Sequence, residues 1–262
     1  MTREGEVSLE LIGSVAVVTL NRPEKLNAMT STMDRQMNHL AYEINNDERI
    51  GVVVLTGRGS RAFSAGSDIN GLVDYESDWQ MRNRFDARLD YARAVWLIRK
   101  PIIAAINGYC IGGGLEMACA ADIRLASPTA SFAAGEIRWG WHGGSGQTQF
   151  LTRIVGSGHA MEMLLTGDQM DAAEALRIGL VQHVVDEPLL MQKAMTLADH
   201  IADRPPIAVE RVKSMVRMAA NVPLEAGLLI ENDSFAALMA TEDAAEGRRA
   251  FAARRDPEFR GR

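Results

Sequence analysis

The chain has 262 residues, 47% of them hydrophobic and 24% charged, and a net charge of −6. That length buries a full core, as one large domain or as a domain with an appendage. The acidic balance excludes an obvious electrostatic footprint for nucleic acid or an anionic membrane surface. The basic cluster Arg248, Arg249, Arg254 and Arg255 is confined to the C-terminal end. Cys110 and Cys119 both lie in an apolar stretch, which suits buried free thiols and argues against a disulfide framework. Arg3, Glu4 and Glu6 interrupt the start where a secretory signal would be apolar, so the expected compartment is the cytoplasm. The apolar segment 101–121 contains Asn107, four glycines and Glu116, which reads as a buried strand, a turn and a helix instead of a membrane span.

In chain order, Val7, Leu9 and Leu11 alternate, Gly13-Ser14 turns the chain, and Val15 to Leu20 continues as a β-rich run, so a hairpin opens the fold. A polar loop, residues 21–25, leads to a helix beginning near Thr30 or Ser31, with Met33, Met37, Leu40, Ala41 and Ile44 on one face. Residues 51–57 form an apolar run typical of a strand covered on both faces. A glycine-punctuated loop, 58–71, and a helix from about residue 78 to 98 follow. Residues 101–106 give a second buried strand, the Gly112–Gly114 turn opens another helix, and 123–126 is a third strand. This alternation predicts parallel β units in a layered α/β core. Beyond about residue 145 the patterns are helical, over roughly 146–155, 158–165, 171–178, 187–203, 205–220, 223–239 and 241–253. The asymmetry divides the chain into an α/β core, 1–200, and a helical C-terminal region, 201–262, with Leu228, Leu229, Phe235 and Leu238 available for a subunit contact or for covering the same chain's core.

Chemistry concentrates in glycine-rich settings. In Ala62-Phe63-Ser64-Ala65-Gly66-Ser67-Asp68 the glycine allows a tight turn that leaves the Ser67 N–H free to face a ligand; taken alone, an ordinary turn is the better reading. Gly112-Gly113-Gly114 opens a helix after a buried strand, where unpaired N–H groups carry partial positive charge and attract an oxyanion, carbonyl or phosphate. The spacing is not that of a dinucleotide fingerprint. Glu116 follows in the first helical turn, and Glu136 lies twenty residues on, in Ala134-Gly135-Glu136-Ile137 ahead of Gly143-Gly144-Ser145-Gly146. Carboxylates in apolar surroundings are costly to ionise, and two facing one pocket divide into acid and base. Each glutamate has a plain alternative: a helix-dipole interaction for Glu116, a solvated position beside Arg138 for Glu136. Together with two N–H donors from separate loops, the acid–base reading with an oxyanion hole prevails.

These pieces, in order, resemble the crotonase superfamily of enoyl-CoA hydratases and isomerases. The resemblance rests on Asn21-Arg22-Pro23-Glu24-Lys25-Leu26-Asn27-Ala28-Met29, the Phe63–Asp68 loop, Pro101–Glu116, Gly135-Glu136-Ile137 through Thr148-Gln149, Thr241–Gly247 and the Phe251–Arg255 tail, nearly the whole chain. It implies a spiral core of ββα units with a helical C-terminal region. It further implies a thioester carbonyl held by the N–H groups of Ser67 and Gly113, and catalysis by Glu116 and Glu136. Arg22, Lys25 and Ala65 would lie near the CoA nucleotide, with Phe251 and Arg254 reaching a neighbouring subunit's CoA. The implied reaction is hydration of a 2-enoyl-CoA in a trimer or hexamer. No metal or redox cofactor is implied, coenzyme A being part of the substrate.

The chain departs from the family pattern at Gly135 and Gly143, where prolines are usual, and at Gln147, where glycine is usual. Trp139, Trp141 and His142 replace a more aliphatic stretch; the tryptophans would shape an acyl pocket or a subunit contact, and His142 would serve a polar substrate tail or a structural bond. The competing readings are a double-bond isomerase, a hydroxyacyl-CoA dehydratase or a thioester hydrolase on the same fold, and, from another class, a non-catalytic RNA-binding member, which the negative charge opposes.

Overall fold

A computed structural model describes residues 4–69 and 89–262. The opening hairpin pairs β1 (Glu6–Ile12) with β2 (Val15–Asn21), antiparallel and with Gly13 at φ +59° in the turn. Helix α1 (Ser31–Asn46) starts where Thr30 caps it, its hydroxyl accepting from Met33 N–H at 3.2 Å. The predicted stripe Met33, Met37, Ala41 and Ile44 is buried, with Leu40 half-buried beside it. Strands β3 (Val52–Gly57), β5 (Ile102–Ile106) and β7 (Ile123–Ala126) run parallel to β2, and the six-stranded sheet has the order β1-β2-β3-β5-β7-β10, closing on β10 (His183–Val184).

Alternate side chains of these buried strands enter two cores. Val53, Leu55, Ile102, Ala104 and Ile106 face the larger one, with α1, α2 (Tyr91–Leu97) and α3 (Gly113–Ala120). Val52, Val54, Ile103 and Ala105 face the opposite side, which Leu190, Ala194 and Ala198 of α6 (Glu187–Ala202) cover. Burial on both faces is why these runs read as continuous apolar segments and not as alternating ones. Each fully buried large aliphatic side chain stabilises the fold by about 1.5–3 kcal/mol relative to exposure.

A second, four-stranded sheet was not expected. Its order is β4-β6-β8-β9, formed by β4 (Ala62–Ser64), β6 (Tyr109–Ile111), β8 (Ser131–Ala133) and β9 (Met170–Asp171). Each unit thus runs from a long strand in the first sheet to a short strand in the second and then to a helix: β3-β4, β5-β6-α3, β7-β8-α4. This is the ββα spiral that the resemblance implied, and it carries the start of every following helix to the end of the small sheet. The first part of the helix expected from about residue 78 lies outside the described residues; its described end is α2.

The span α4 (Gln147–Thr166) is broken at Gly156, whose φ of +77° is not helical, so it holds the two expected helices on either side of that residue. After α5 (Ala172–Arg177) and α6 come α7 (Pro206–Ala219), α8 (Leu224–Met239) and α9 (Glu242–Ala253). Neither α7 nor α8 contains a fully buried residue, and Val212, Val216, Leu224, Leu228, Leu229 and Phe235 are exposed on them. Where α7 meets the N-terminal end of β5, Asp122 accepts from Lys213 at 2.7 Å and Arg217 at 2.9 Å, and Glu210 pairs with Lys100 at 2.7 Å, beside a cavity of about 690 Å³. Among the described residues no helix is long and apolar enough to cross a membrane.

Candidate active site

The start of α3 is the centre of the site. Gly112, at φ +58°, ends β6 and its N–H donates to Ala133 O of β8 at 2.9 Å, so the small sheet holds the turn. Gly113 and Gly114 are required by close approach: a β-carbon would lie 1.9 Å from the Tyr91 hydroxyl at Gly113, and 2.1 Å from Ser64 O at Gly114. The Ser64–Asp68 loop is pressed onto this turn. Gly66 adopts φ +86°, and a β-carbon there would sit 2.6 Å from the Gly113 nitrogen, so the residue preceding Ser67 is pressed against the Gly113 amide. Met29 fixes the loop by donating to Gly66 O at 2.7 Å and accepting from Asp68 N–H at 2.8 Å. The N–H groups of Ser67 and Gly113 make no hydrogen bond among the described residues. The Ser67 hydroxyl is 2.7 Å from that of buried Tyr91.

Glu116, 2% exposed, accepts from Ser145 N–H at 2.8 Å through Oε1. The Ser145 hydroxyl in turn donates to Asp90, whose other oxygen caps α2 by accepting from Arg93 N–H at 2.8 Å. A chain of hydrogen bonds through Ser145 therefore ties Glu116 to Asp90 at the start of α2. One turn further along α3, burial pushes the Cys119 thiol up to about 12, with Arg124 opposing and Glu116 adding to the shift. Burial also raises Cys110 well above the usual thiol range, so both cysteines are neutral, unreactive packing groups.

Glu136 stands on a 3-10 turn, Gly135–Trp139, half-buried. A β-carbon on Gly112 would lie 2.8 Å from its Oε1, so its carboxylate rests against the turn that opens α3. Gln147, at the start of α4, donates through Nε2 to both Glu136 oxygens, at 3.3 and 3.1 Å. The structure thus brings four expected residues together: Glu116, Glu136, Ser67 and Gly113. Asp90, Tyr91, Ser145 and the contact made by Gln147 were missed. The capping pattern at Asp90 and the Ser145 in a glycine run were visible signals, but their pairing across 55 residues was not.

The other expected positions lie around this centre. Arg22 is mostly buried and its guanidinium donates to Asp68 at 2.7 Å, which makes it a brace of the 64–68 loop. Lys25 is exposed at the end of a 3-10 turn, next to Leu26, whose carbonyl accepts from Ala65 N–H at 2.9 Å. Asn27, fully buried, ties both segments by donating to Ala62 O at 2.8 Å and Arg58 O at 3.1 Å. Trp139 and Trp141 are at the surface, 69% and 46% exposed. His142 is exposed with Nδ1 2.7 Å from Gly143 O. Phe251 is 87% exposed in the last turn of α9, and Arg254 ends that helix at φ +51°. Among the described residues no three His, Cys, Asp or Glu side chains converge as metal ligands.

Comparison with known proteins matches residues 10–262 to the enoyl-CoA hydratase/isomerase family. A short-chain-enoyl-CoA hydratase from Clostridium acetobutylicum is 38% identical over 96% of both chains. An (E)-benzylidenesuccinyl-CoA hydratase from Thauera aromatica is 39% identical over 97% of this chain and 99% of its own. The crystal structure of an enoyl-CoA hydratase from Bacillus anthracis superposes with a TM-score of 0.92 at 33% identity, covering 98% and 99% of the two chains. The long-strand, short-strand, helix spiral is therefore a crotonase fold, and this chain belongs to the enoyl-CoA hydratase/isomerase family.

Proposed function

We propose that this enzyme adds water across the 2,3 double bond of an enoyl-CoA thioester. The observation that carries the reading is the convergence of Glu116 and Glu136 on the Gly112–Gly113 turn, with the residue preceding Ser67 pressed against the Gly113 amide. The thioester oxygen accepts from both amides. Water attacks the β-carbon and passes a proton to Glu116. The π electrons move to the thioester oxygen as an enolate, whose charge those amides stabilise as it develops. Glu136 delivers a proton to the α-carbon, the carbonyl re-forms, and proton exchange with solvent restores both carboxyls. The two backbone donors and two carboxyls account for every charge and proton in this sequence, so the reaction uses no metal or redox cofactor; coenzyme A enters as part of the substrate.

Lys25 and Ala65 flank the oxyanion loop and suit the coenzyme's nucleotide end, with Arg22 holding the loop through Asp68 instead of touching the ligand. Exposed Leu224, Leu228, Leu229 and Phe235 on α8, together with Phe251 on α9, suit contact with further copies in a trimer or hexamer. Such an assembly would carry Phe251 and Arg254 to a neighbour's CoA and give Trp139 and Trp141 a partner surface. Light scattering at micromolar concentration should report trimer or hexamer; a fully active monomer would remove these roles.

The relatives named above act on a short-chain and on an aryl-bearing thioester, so likeness alone does not choose the acyl group. A panel of enoyl-CoA thioesters, short, long, branched and aromatic, assayed by loss of enoyl absorbance, tests the reaction and ranks acyl groups together. Loss of absorbance with formation of a 3-hydroxyacyl product is expected. Double-bond migration without water uptake, or release of free CoA, would replace hydration by isomerisation or thioester hydrolysis.

A further inference from the structure

Gln147 occupies a position the two-glutamate chemistry does not require. Its side chain is 1% exposed and lies between the catalytic carboxyls. Nε2 donates to Glu136 Oε1 and Oε2, and lies 3.4 Å from Gly112 O, so three oxygen acceptors surround it. That set fixes the amide's orientation, since the flipped form would set oxygen against oxygen. The Gln147 Oε1 is buried and has no hydrogen-bond partner among the described residues. It faces Gly143: a point one β-carbon out from Gly143 is 2.7 Å from Gln147 Oε1 and 2.6 Å from Glu116 Oε1. One amide therefore spans the gap between the two carboxyls. Burying an unsatisfied carbonyl oxygen is unfavourable, because its lost hydration is not replaced. An apolar side chain of similar length would fill the same space without that cost, so packing alone does not account for a glutamine here.

We propose that Gln147 is a positioning residue that aims the Glu136 carboxyl at the substrate α-carbon and, by donating to both its oxygens, lowers its proton affinity so that it gives up its proton there. The inference rests on the reading that Glu136 exchanges the α-carbon proton. A donor bonded to the charged form of a carboxyl favours that form and lowers its proton affinity. Bonding to both oxygens also restrains rotation of a side chain carried on a 3-10 turn that begins with Gly135. Among the described residues, the other titratable or charged groups on the surrounding elements are Glu116 and Cys119 on α3, Tyr91 on α2, Asp90 behind Ser145, and Arg138 and His142 on the segment of Glu136 itself. Cys119 stays protonated through the neutral range, since burial raises it to about 12.

The test is an infrared titration of the Glu136 carboxyl in the free, full-length protein, assigned by its disappearance in Glu136→Gln. Gln147→Met keeps the side-chain length without the amide, and Gln147→Gly guards against misfolding of the first variant. The protonation midpoint of Glu136 is expected to rise by about one pH unit in both, a tenfold gain in proton affinity. In Gln147→Met, kcat on the best enoyl-CoA should fall about tenfold with KM changed less than about twofold. An unshifted midpoint in folded variants overturns the role of Gln147, even if wild-type protein hydrates its substrate. A shifted midpoint in a protein with no hydratase turnover keeps that role and removes the hydration reading instead.

Discussion

The two ends of strand β5 handle carboxylates in different ways. At its N-terminal end Asp122 sits between Lys213 and Arg217, and Glu210 meets Lys100, each pair within 2.9 Å. Beyond its C-terminal end, past β6, Glu116 accepts from a backbone N–H and Glu136 from a neutral amide. Opposite charge at close range favours the ionised form of a carboxyl strongly, and a neutral hydrogen-bond donor favours it less. In parallel α/β arrangements ligands collect beyond the carboxyl ends of the strands. The proposed site lies at that end, and the ion pairs lie at the other.

The contrast breaks most visibly at the glutamates. Glu116→Gln and Glu136→Gln should each lower kcat by at least about 10²-fold, the usual contribution of acid–base catalysis, while CoA-thioester binding changes little. Either variant retaining near wild-type turnover would exclude two-carboxylate hydration. At the opposite end the effect should fall on stability. Asp122→Asn leaves Lys213 and Arg217 adjacent without their shared anion and weakens the acceptor of Ile102 N–H. It should cost about 3 kcal/mol in urea unfolding, with kcat/KM of the folded fraction unchanged; a loss of turnover without loss of stability would show the two ends to be coupled.

A smaller effect sharpens the same contrast through pH. Burial, outweighing the attraction of Asp122, lowers Lys213 to about 8 from an ordinary 10.5. Between those values the unfolded chain holds a proton that the folded chain has released, so stability rises with pH across that window and the penalty is complete below it. The urea midpoint of wild-type protein should climb from pH 8 towards 10.5 relative to Lys213→Met. Parallel curves for the two proteins would mean that Lys213 keeps its proton throughout.

Much of this arrangement was legible in the sequence, for identifiable reasons. The strands of the large sheet are uninterrupted apolar runs, and the helices carry 3.6-residue stripes or proline starts, so local pattern determined them. The short strands β4, β6, β8 and β9 have two or three residues each, too few to show a period, and their pairing decides the spiral. Glu116 and Glu136 stood out because glycines surround them. Their supports did not, because Ser145 reaches Asp90 and Glu116 across 55 and 29 residues. Arg22 likewise has a partner that its motif does not reveal, Asp68, 46 residues away.

The far end of α3 has a bearing on the order in which the enzyme is built. Arg124 is buried, and its guanidinium donates to Ala118 O and Ala121 O at the end of that helix and to Leu180 O at 2.7 Å. Burial lowers its proton affinity, but arginine still carries its charge, so the group needs all of these carbonyls. A chain emerging from the ribosome has made Glu116 and its glycine turn long before Leu180 appears. Until then the guanidinium must stay hydrated, which keeps water at the end of α3 and leaves the helix open to fraying. Helix α3 is therefore completed late in synthesis, when the segment carrying Leu180 arrives to take the third hydrogen bond.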